Sequence, residues 1–364
     1  MGELMERTAR VAHGLCLVRS MTHQFNNHIA GTYIALTGPD ERFETLDEHY
    51  RHCRDEKRVS EDRWHLPQKV QLQQLQDTMG LALGDDGEFR LNDWSFGQLC
   101  KLASVGKETV NRLSPETAGR VLMETLPAGR KPLQILTKED RIRSIHAASY
   151  TRLHNADLVQ LAQETAVGFA PPHKGFNGGT GLYCGEQDMF AFLIDPTGWT
   201  EIEGENFAPG FFIWNSEVGR RSVGIQTFWF QAICQNHIVW DAIEVVDFSR
   251  KHTANVHDAL TDIRRGIDEL VAKRDSRRDK LYDAMKKAMQ ERLGDDAEEV
   301  LKKLAEHGIS RGLAKQATEI AASQGRFTIF SLVDALTKLT GKVQFIGDRT
   351  EADLKVAALM TLAL

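Results

Sequence analysis

Seven basic side chains in this sequence are placed where they could meet a phosphate backbone: Arg141, Arg143, Arg152, Arg220, Arg221, Lys107 and Arg112. A guanidinium group offers forked donors that match phosphate oxygens, and a row of them beside aromatic rings can follow a single strand while its bases stack. In RIRSIHA, Arg141 and Arg143 alternate with Ile142, so period-two spacing puts both on one strand face and Ile142 in the core. Arg152 follows Tyr150, and Arg220-Arg221 open a second apolar run, near Trp214 and Trp229. A plainer account also exists, in which the tryptophans fill a core and the arginines pair with local acids.

Other chemistry finds less footing. HExxH and GxGxxG are absent, and the GISRG string at 308–312 has the letters of G-x-S-x-G but lies in the helical stretch, not between a strand and a helix as a nucleophile elbow does. The run GKET lacks the upstream glycine spacing of a phosphate loop, and Glu108 stands where a magnesium-binding hydroxyl would be needed. Cys16, Cys53, Cys100, Cys184 and Cys234 are scattered and form no CxxC pair, as expected of reduced, buried thiols rather than a zinc site or a disulfide framework. His23 and His28 lie five residues apart, whereas ligands on a helix favour three or four. Cys234 and His237 are close in sequence but fall in a strand-like run, and no spacing gathers Asp188, Asp195, Glu217 and Asp241. No catalytic residue, metal or cofactor is therefore expected.

The positioning elements read more clearly. The stretch Gly210 to Asp241 holds two apolar, aromatic-rich runs around the connector Asn215–Arg221, the pattern of a hairpin whose connector is the place to seek a contact surface. LALGDDGEFRL reads as a hairpin, and Asn92 or Asp93 caps a helix through WSFGQLCKLASV. KETVNRL is a short helix, and Ser114-Pro115 starts a third. Together these segments look like a helix-turn-helix, with Lys107, Asn111 and Arg112 facing DNA; three short helices packed on a sheet are the favoured alternative. PLQIL and RIRSIHA are strands, Asn155 caps a helix through LVQLAQETA, and PPHKGFNGGTG is a loop. The first ~65 residues, dense in mixed charge, read as loops and short helices around a mobile segment. From His257 onward the chain turns helical, ending in a last helix through EADLKVAALMTLAL.

The expected fold class is α+β: a central antiparallel sheet with helices packed on one face and a helical C-terminal region. The expected domains are an N-terminal arm at 1–68, an α+β core at 69–255 and the helical region at 256–364. Apolar residues make up 41% and charged residues 26%, an ordinary globular balance, and no apolar run approaches a membrane span. The opening residues lack the apolar core of a signal peptide, so a cytoplasmic location is expected. A net charge of −6 excludes a uniformly basic coat, yet the bases cluster between Lys101 and Arg152, while six acids and no base lie between Glu186 and Glu205.

Four pieces together resemble a family carried by phages and plasmids, the "phage/plasmid-like proteins" of unknown function: DWSFGQLCKLASVGKETVNRL, RIRSIHAASYTRLHNADLVQLA, WNSEVGRRSVGIQTFWFQAICQN and FTIFSLVDALTKLT. The resemblance spans roughly Leu91 to Leu339. Ser149 and Tyr150 are adjacent here where that family spaces them, and Glu217 follows Asn215-Ser216 where it usually has His-Asp. The resemblance implies a mobile-element origin. The expected arrangement of sheet and helices is also similar to that of phage single-strand annealing recombinases, a likeness of fold alone. The leading expectation is a non-enzymatic DNA-binding protein, oligomeric, taking single-stranded DNA as partner and meeting no membrane. A structural assembly protein and a metal-dependent nuclease are the alternatives.

Overall fold

Apolar alternation and caps place most elements, and their strands divide between two sheets rather than joining one. The computed structural model describes residues 41–363 apart from 76–77, 173–180, 203, 232–236, 241–246, 324–326, 341–354 and 357. The chain divides into two compact units, Met1–Asp40 and Glu41–Leu364, and every described residue belongs to the second. His23, His28, Cys16, Cys234 and most of the PPHKGFNGGTG loop lie outside the described residues, as do the side chain of His237 and part of the expected last helix. Among the described residues no helix is long and apolar enough to cross a membrane.

The larger sheet has eight strands: β1 (Glu41–Phe43), β8 (Leu182–Cys184), β9 (Met189–Ile194), β11 (Glu205–Asn215), β12 (Val223–Gln231) and β13 (His237–Trp240) in that order, with β10 (Thr200–Ile202) on β11 and β14 (Asp247–Arg250) on β12. The smaller sheet orders β2 (Ser60–His65), β6 (Leu133–Lys138), β7 (Arg141–Ala147), β5 (Glu88–Leu91), β4 (Thr78–Ala82) and β3 (Gln71–Leu75). All pairs are antiparallel except β5 with β7, which the helical crossover between them makes parallel.

Where loops and short helices were expected, helix α1 (Leu46–Val59) is a single helix of 14 residues. Thr45 and Glu48 form a capping box, acids fill the first turn and bases the last, as the helix dipole favours. Its fully buried residues are His49 and Cys53, so the inward face carries few of the side chains that mark an apolar stripe. Helices α2 (Asp93–Leu102), α3 (Lys107–Val110) and α4 (Pro115–Thr125) start at the caps expected of them, Asn92 and Ser114 closing the first and third through side-chain bonds. They pack Leu99, Cys100, Val110 and Leu122 onto Leu81, Ile135 and Ile142 of the smaller sheet. At four residues α3 is too short for a recognition helix, and the three-helix layer is the arrangement present.

One face of the larger sheet is covered by α1, α5 (Asn155–Thr165) and α6 (Asp258–Ala272), which bury Leu158, Val159, Ile263 and Ile267 against Phe211, Ile213 and Ile225. The helical C-terminal region expected from the sequence is present: α7 (Arg274–Gln290), α8 (Ala297–Glu306), α9 (Arg311–Ser323) and α10 (Ile329–Thr340). Its core includes Leu304, Ala317 and Leu336, and it closes on Ile202, Phe207 and Trp229 at the end of the same sheet.

The hairpin expected around Asn215–Arg221 is present as β11–β12, and its register sets Gly224 opposite Trp214. A Cβ on Gly224 would come 2.3 Å from the Trp214 ring and 2.5 Å from the Phe248 carbonyl, so only glycine lets the indole lie across the neighbouring strand. Gly224→Val is expected to lower stability in urea by about 1–3 kcal/mol through overpacking. Gly312→Ala, with nothing within 4 Å of the added methyl in α9, should instead leave the midpoint level or raise it slightly.

Candidate functional site

A hairpin tip is ordinarily exposed, but Asn215, Ser216, Glu217 and Val218 are all buried. Their backbone and side-chain polar groups must then be satisfied from elsewhere. Tyr150 Oη donates to the Ser216 carbonyl at 3.3 Å and the Glu217 carbonyl at 3.0 Å, and Arg152 also donates to the latter. Trp94 Nε1 and Gln98 Nε2 of α2 donate to the Val218 carbonyl at 3.0 and 3.1 Å. Asn215 Nδ2 donates to the Leu153 carbonyl and to Asn155 Oδ1, both at 2.8 Å. The first part of the connector, Asn215–Val218, is therefore a plug between the two sheets, and only Gly219, Arg220 and Arg221 reach the surface.

Glu217 sits at its centre. Arg143 Nη1 donates to Oε2 at 2.9 Å, the Asn155 amide donates to Oε1 at 2.9 Å, and His154 Nδ1 lies 3.4 Å from Oε1. Burial alone would raise the carboxyl pKa, and that is the largest single effect. Arg143, His154 and the amide overcome it and hold the group below the usual carboxylate range. The expected Asn155 cap is thereby corrected. His154 is the N-cap without a side-chain bond, and the first free amide of α5 is closed by the Glu217 carboxylate from another element. Arg143 reaches this site from a bulge: Ser144 faces Leu136 and Ile142 faces Thr137, leaving Arg143 with no opposite residue.

Gly219 ends the plug with φ +75°, and a Cβ there would lie 2.5 Å from the His146 ring. His146 stacks on Tyr150 at 3.7 Å between centroids, Tyr150 stacks on His252 at 5.2 Å, and the Arg152 guanidinium lies 5.3 Å from the Tyr150 centroid. Burial and the Arg152 charge push His146 down to about 3, and burial pushes His252 down to about 4, so both are neutral at pH 7. Beside this stack opens a cleft of about 760 Å³, lined by Trp94, Gln98, Lys101, Lys107 and His146 among others.

A second cluster lies on the other side of Asn155. His49 and Cys53 of α1 meet Cys184 of β8, and one ring nitrogen and both sulfurs lie within 4.8 Å of one another. All three residues are buried, and neither His49 ring nitrogen has a hydrogen-bond partner of normal geometry. His52, one helical turn from His49, faces Cys184 as well, and its Nδ1 lies 3.1 Å from Glu41 Oε2. Asn155 Nδ2 approaches Cys184 Sγ at 3.9 Å. The facing Cys53 thiol, then His49 and His52, hold the Cys184 thiol well below its ordinary range despite burial. The spacing of three and four residues between His49, His52 and Cys53 was visible in HYRHC and becomes informative once that segment is helical.

The seven sequence-predicted residues are not brought into one groove. Arg143 is committed to Glu217, Arg152 to Asp62 at 2.7 Å, and both Arg220 and Arg221 to Asp188 at 3.2 Å. Lys107 is held by Asp93 at 2.6 Å on the cleft rim. Arg112 and Arg141 are exposed, the latter near the exposed Glu186. Trp229 is core, and Trp214 packs on Phe212 at 4.7 Å. Comparison with family models, curated proteins and solved structures gives no match for this chain. Its class is therefore defined by geometry: a two-sheet α+β protein with a buried hairpin plug, a basic-rimmed cleft and a separate thiol–imidazole cluster.

Two outcomes follow from the plug. Glu217→Ala leaves Arg143 buried without its partner and is expected to cost about 3–5 kcal/mol in denaturant unfolding, a loss that the double variant Glu217→Ala/Arg143→Met recovers in part. The folded state prefers neutral His146 and His252, so their contribution is complete above the unfolded value near 6.5 and is lost as pH falls towards about 4. His146→Phe keeps a ring on Tyr150 and should flatten the stability–pH curve in that window, by at most about 1.4 kcal/mol per pH unit. Parallel curves for the two proteins would contradict the assignment.

Proposed function

We propose that this protein binds nucleic acid, single-stranded DNA foremost, through the cleft beside Trp94 and the basic helical layer around it. The observation that carries this reading is the cleft itself: an indole wall, Lys101 and Lys107 at the rim, and a neutral imidazole at the back. An aromatic wall suits a base of any identity, and ammonium groups at the mouth suit its phosphates. The layer of α2–α4 and the loop after it add exposed Arg112, Arg120, Arg130 and Lys131.

In this reading the seven candidates divide by task. Lys107, Arg112 and Arg141 are contact residues, and Arg143, Arg152, Arg220 and Arg221 hold the fold that presents them. The resemblance to the phage- and plasmid-borne family implies a mobile-element origin and no activity of its own; annealing or recombination by several copies along one strand is the role proposed for such binding. Binding is the activity proposed for the cleft.

Fluorescence polarisation with a labelled oligothymidylate of about 20 nucleotides tests this directly. Binding should weaken with salt, log K falling about 0.7 per neutralised phosphate against log salt. The double variant Lys101→Glu/Arg112→Glu changes exposed side chains only and should lose at least about tenfold in affinity while keeping its unfolding midpoint. Absence of binding at about 25 mM salt, or a variant that binds as the parent does, overturns the reading.

A further inference from the structure

We infer that His49, His52, Cys53 and Cys184 form a structural zinc site that ties α1 to the edge of the larger sheet. Its basis is independent of the nucleic-acid reading. Two sulfurs and an imidazole nitrogen within 4.8 Å of one another are close to the spacing a tetrahedral centre requires. Bonds of about 2.3 Å to sulfur and about 2.0 Å to nitrogen put ligand atoms about 3.3–3.8 Å apart, a contraction of about 1 Å that rotamer adjustment can supply. The donor set, two thiols and two imidazoles, suits zinc and does not suit magnesium or calcium, which take oxygen.

Three further observations fit a metal better than a plain apolar core. His49 is fully buried, yet neither ring nitrogen has a hydrogen-bond partner of normal geometry, a costly state for an imidazole beside a thiol unless a stronger bond is made there. His52 has Nδ1 3.1 Å from Glu41 Oε2 and faces Cys184, so its Nε2 is the nitrogen that would coordinate, with Glu41 behind it as in a carboxylate–histidine–zinc triad. Glu41 is delivered by backbone pairing, since it is the register partner of Cys184 itself. Asn155 Nδ2 points at Cys184 Sγ, as outer-shell donors to metal-bound thiolates do.

The ligands come from one helix, at positions separated by three and four residues, and from one strand. Three ligand atoms are already gathered, and His52 turning its ring towards Cys184 would complete four protein ligands and leave no position for substrate, so the role is structural. Binding releases the thiol protons still held by Cys53 and Cys184, and no change of oxidation state is involved.

The test is metal content of the full chain purified without a histidine tag and without chelator. About one zinc per chain is expected, with Cys53 and Cys184 shielded from thiol reagents until a strong chelator is added. Cobalt exchanged into the parent protein should give tetrahedral d–d bands and a thiolate charge-transfer band, a readout that needs no variant to fold. Cys53→Ser and Cys184→Ser should lose the metal, Cys100→Ser should retain it, and Glu41→Gln should weaken zinc affinity by about 10–100-fold. Zinc below about 0.1 per chain with no cobalt–thiolate band, or a Cys53–Cys184 disulfide in freshly purified protein, overturns the inference.

Discussion

The charge of Glu217, buried at the tip of a hairpin, is the constraint on which the two-sheet arrangement depends. A carboxylate without water must be paired and hydrogen-bonded, and each of its partners comes from a different part of the chain. Arg143 belongs to the smaller sheet, the Asn155 amide to the start of α5, and Glu217 itself to the larger sheet. Arg152 extends the same lock by holding the Glu217 carbonyl and the Asp62 carboxylate of β2 together. Moving either sheet relative to the other would expose or orphan several of these groups at once. Such a network gives little net stability over an apolar plug of the same shape, but it specifies one arrangement.

The local elements were legible because their signals are local. The caps at Asn92 and Ser114, the GDDG hairpin, the β6–β7 pair and the β11–β12 hairpin all rest on residues within one or two turns of each other. Asn155 misled for the complementary reason. Its type suits a cap, yet its side chain is spent on Asn215 and Cys184 while a distant carboxylate does the capping. Helix α1 was hidden because His49 and Cys53 occupy the positions where apolar side chains would have shown the period.

The arginines show the limit more sharply. Arg143 meets Glu217 from 74 residues away and Arg152 meets Asp62 from 90, so no window along the sequence holds both members of either pair. Period-two alternation placed Ile142 in the core correctly, but it could not foresee the bulge that aims Arg143 at a buried acid. A charged residue inside an aromatic hairpin was the available signal. Glu217 sits between two apolar runs whose neighbours bury completely, and a tip so placed has to find a cation.

Asn155 joins the two buried polar clusters into one system. Its amide is fixed by Glu217, its side-chain carbonyl accepts from Asn215, and its side-chain amide faces Cys184. The orientation of Nδ2 towards the sulfur is therefore set by the plug, because Oδ1 is already committed on the opposite side. Asn155 is thus the residue that touches both the thiol cluster and the first turn of α5, whose opening amide is the one Glu217 closes. The cleft shares Gly219 and the Val218 carbonyl with the far side of the same plug. The thiol cluster, the plug and the cleft wall thus form one contiguous series of polar contacts, from Cys184 through Asn155 and Glu217 to the Val218 carbonyl and Trp94.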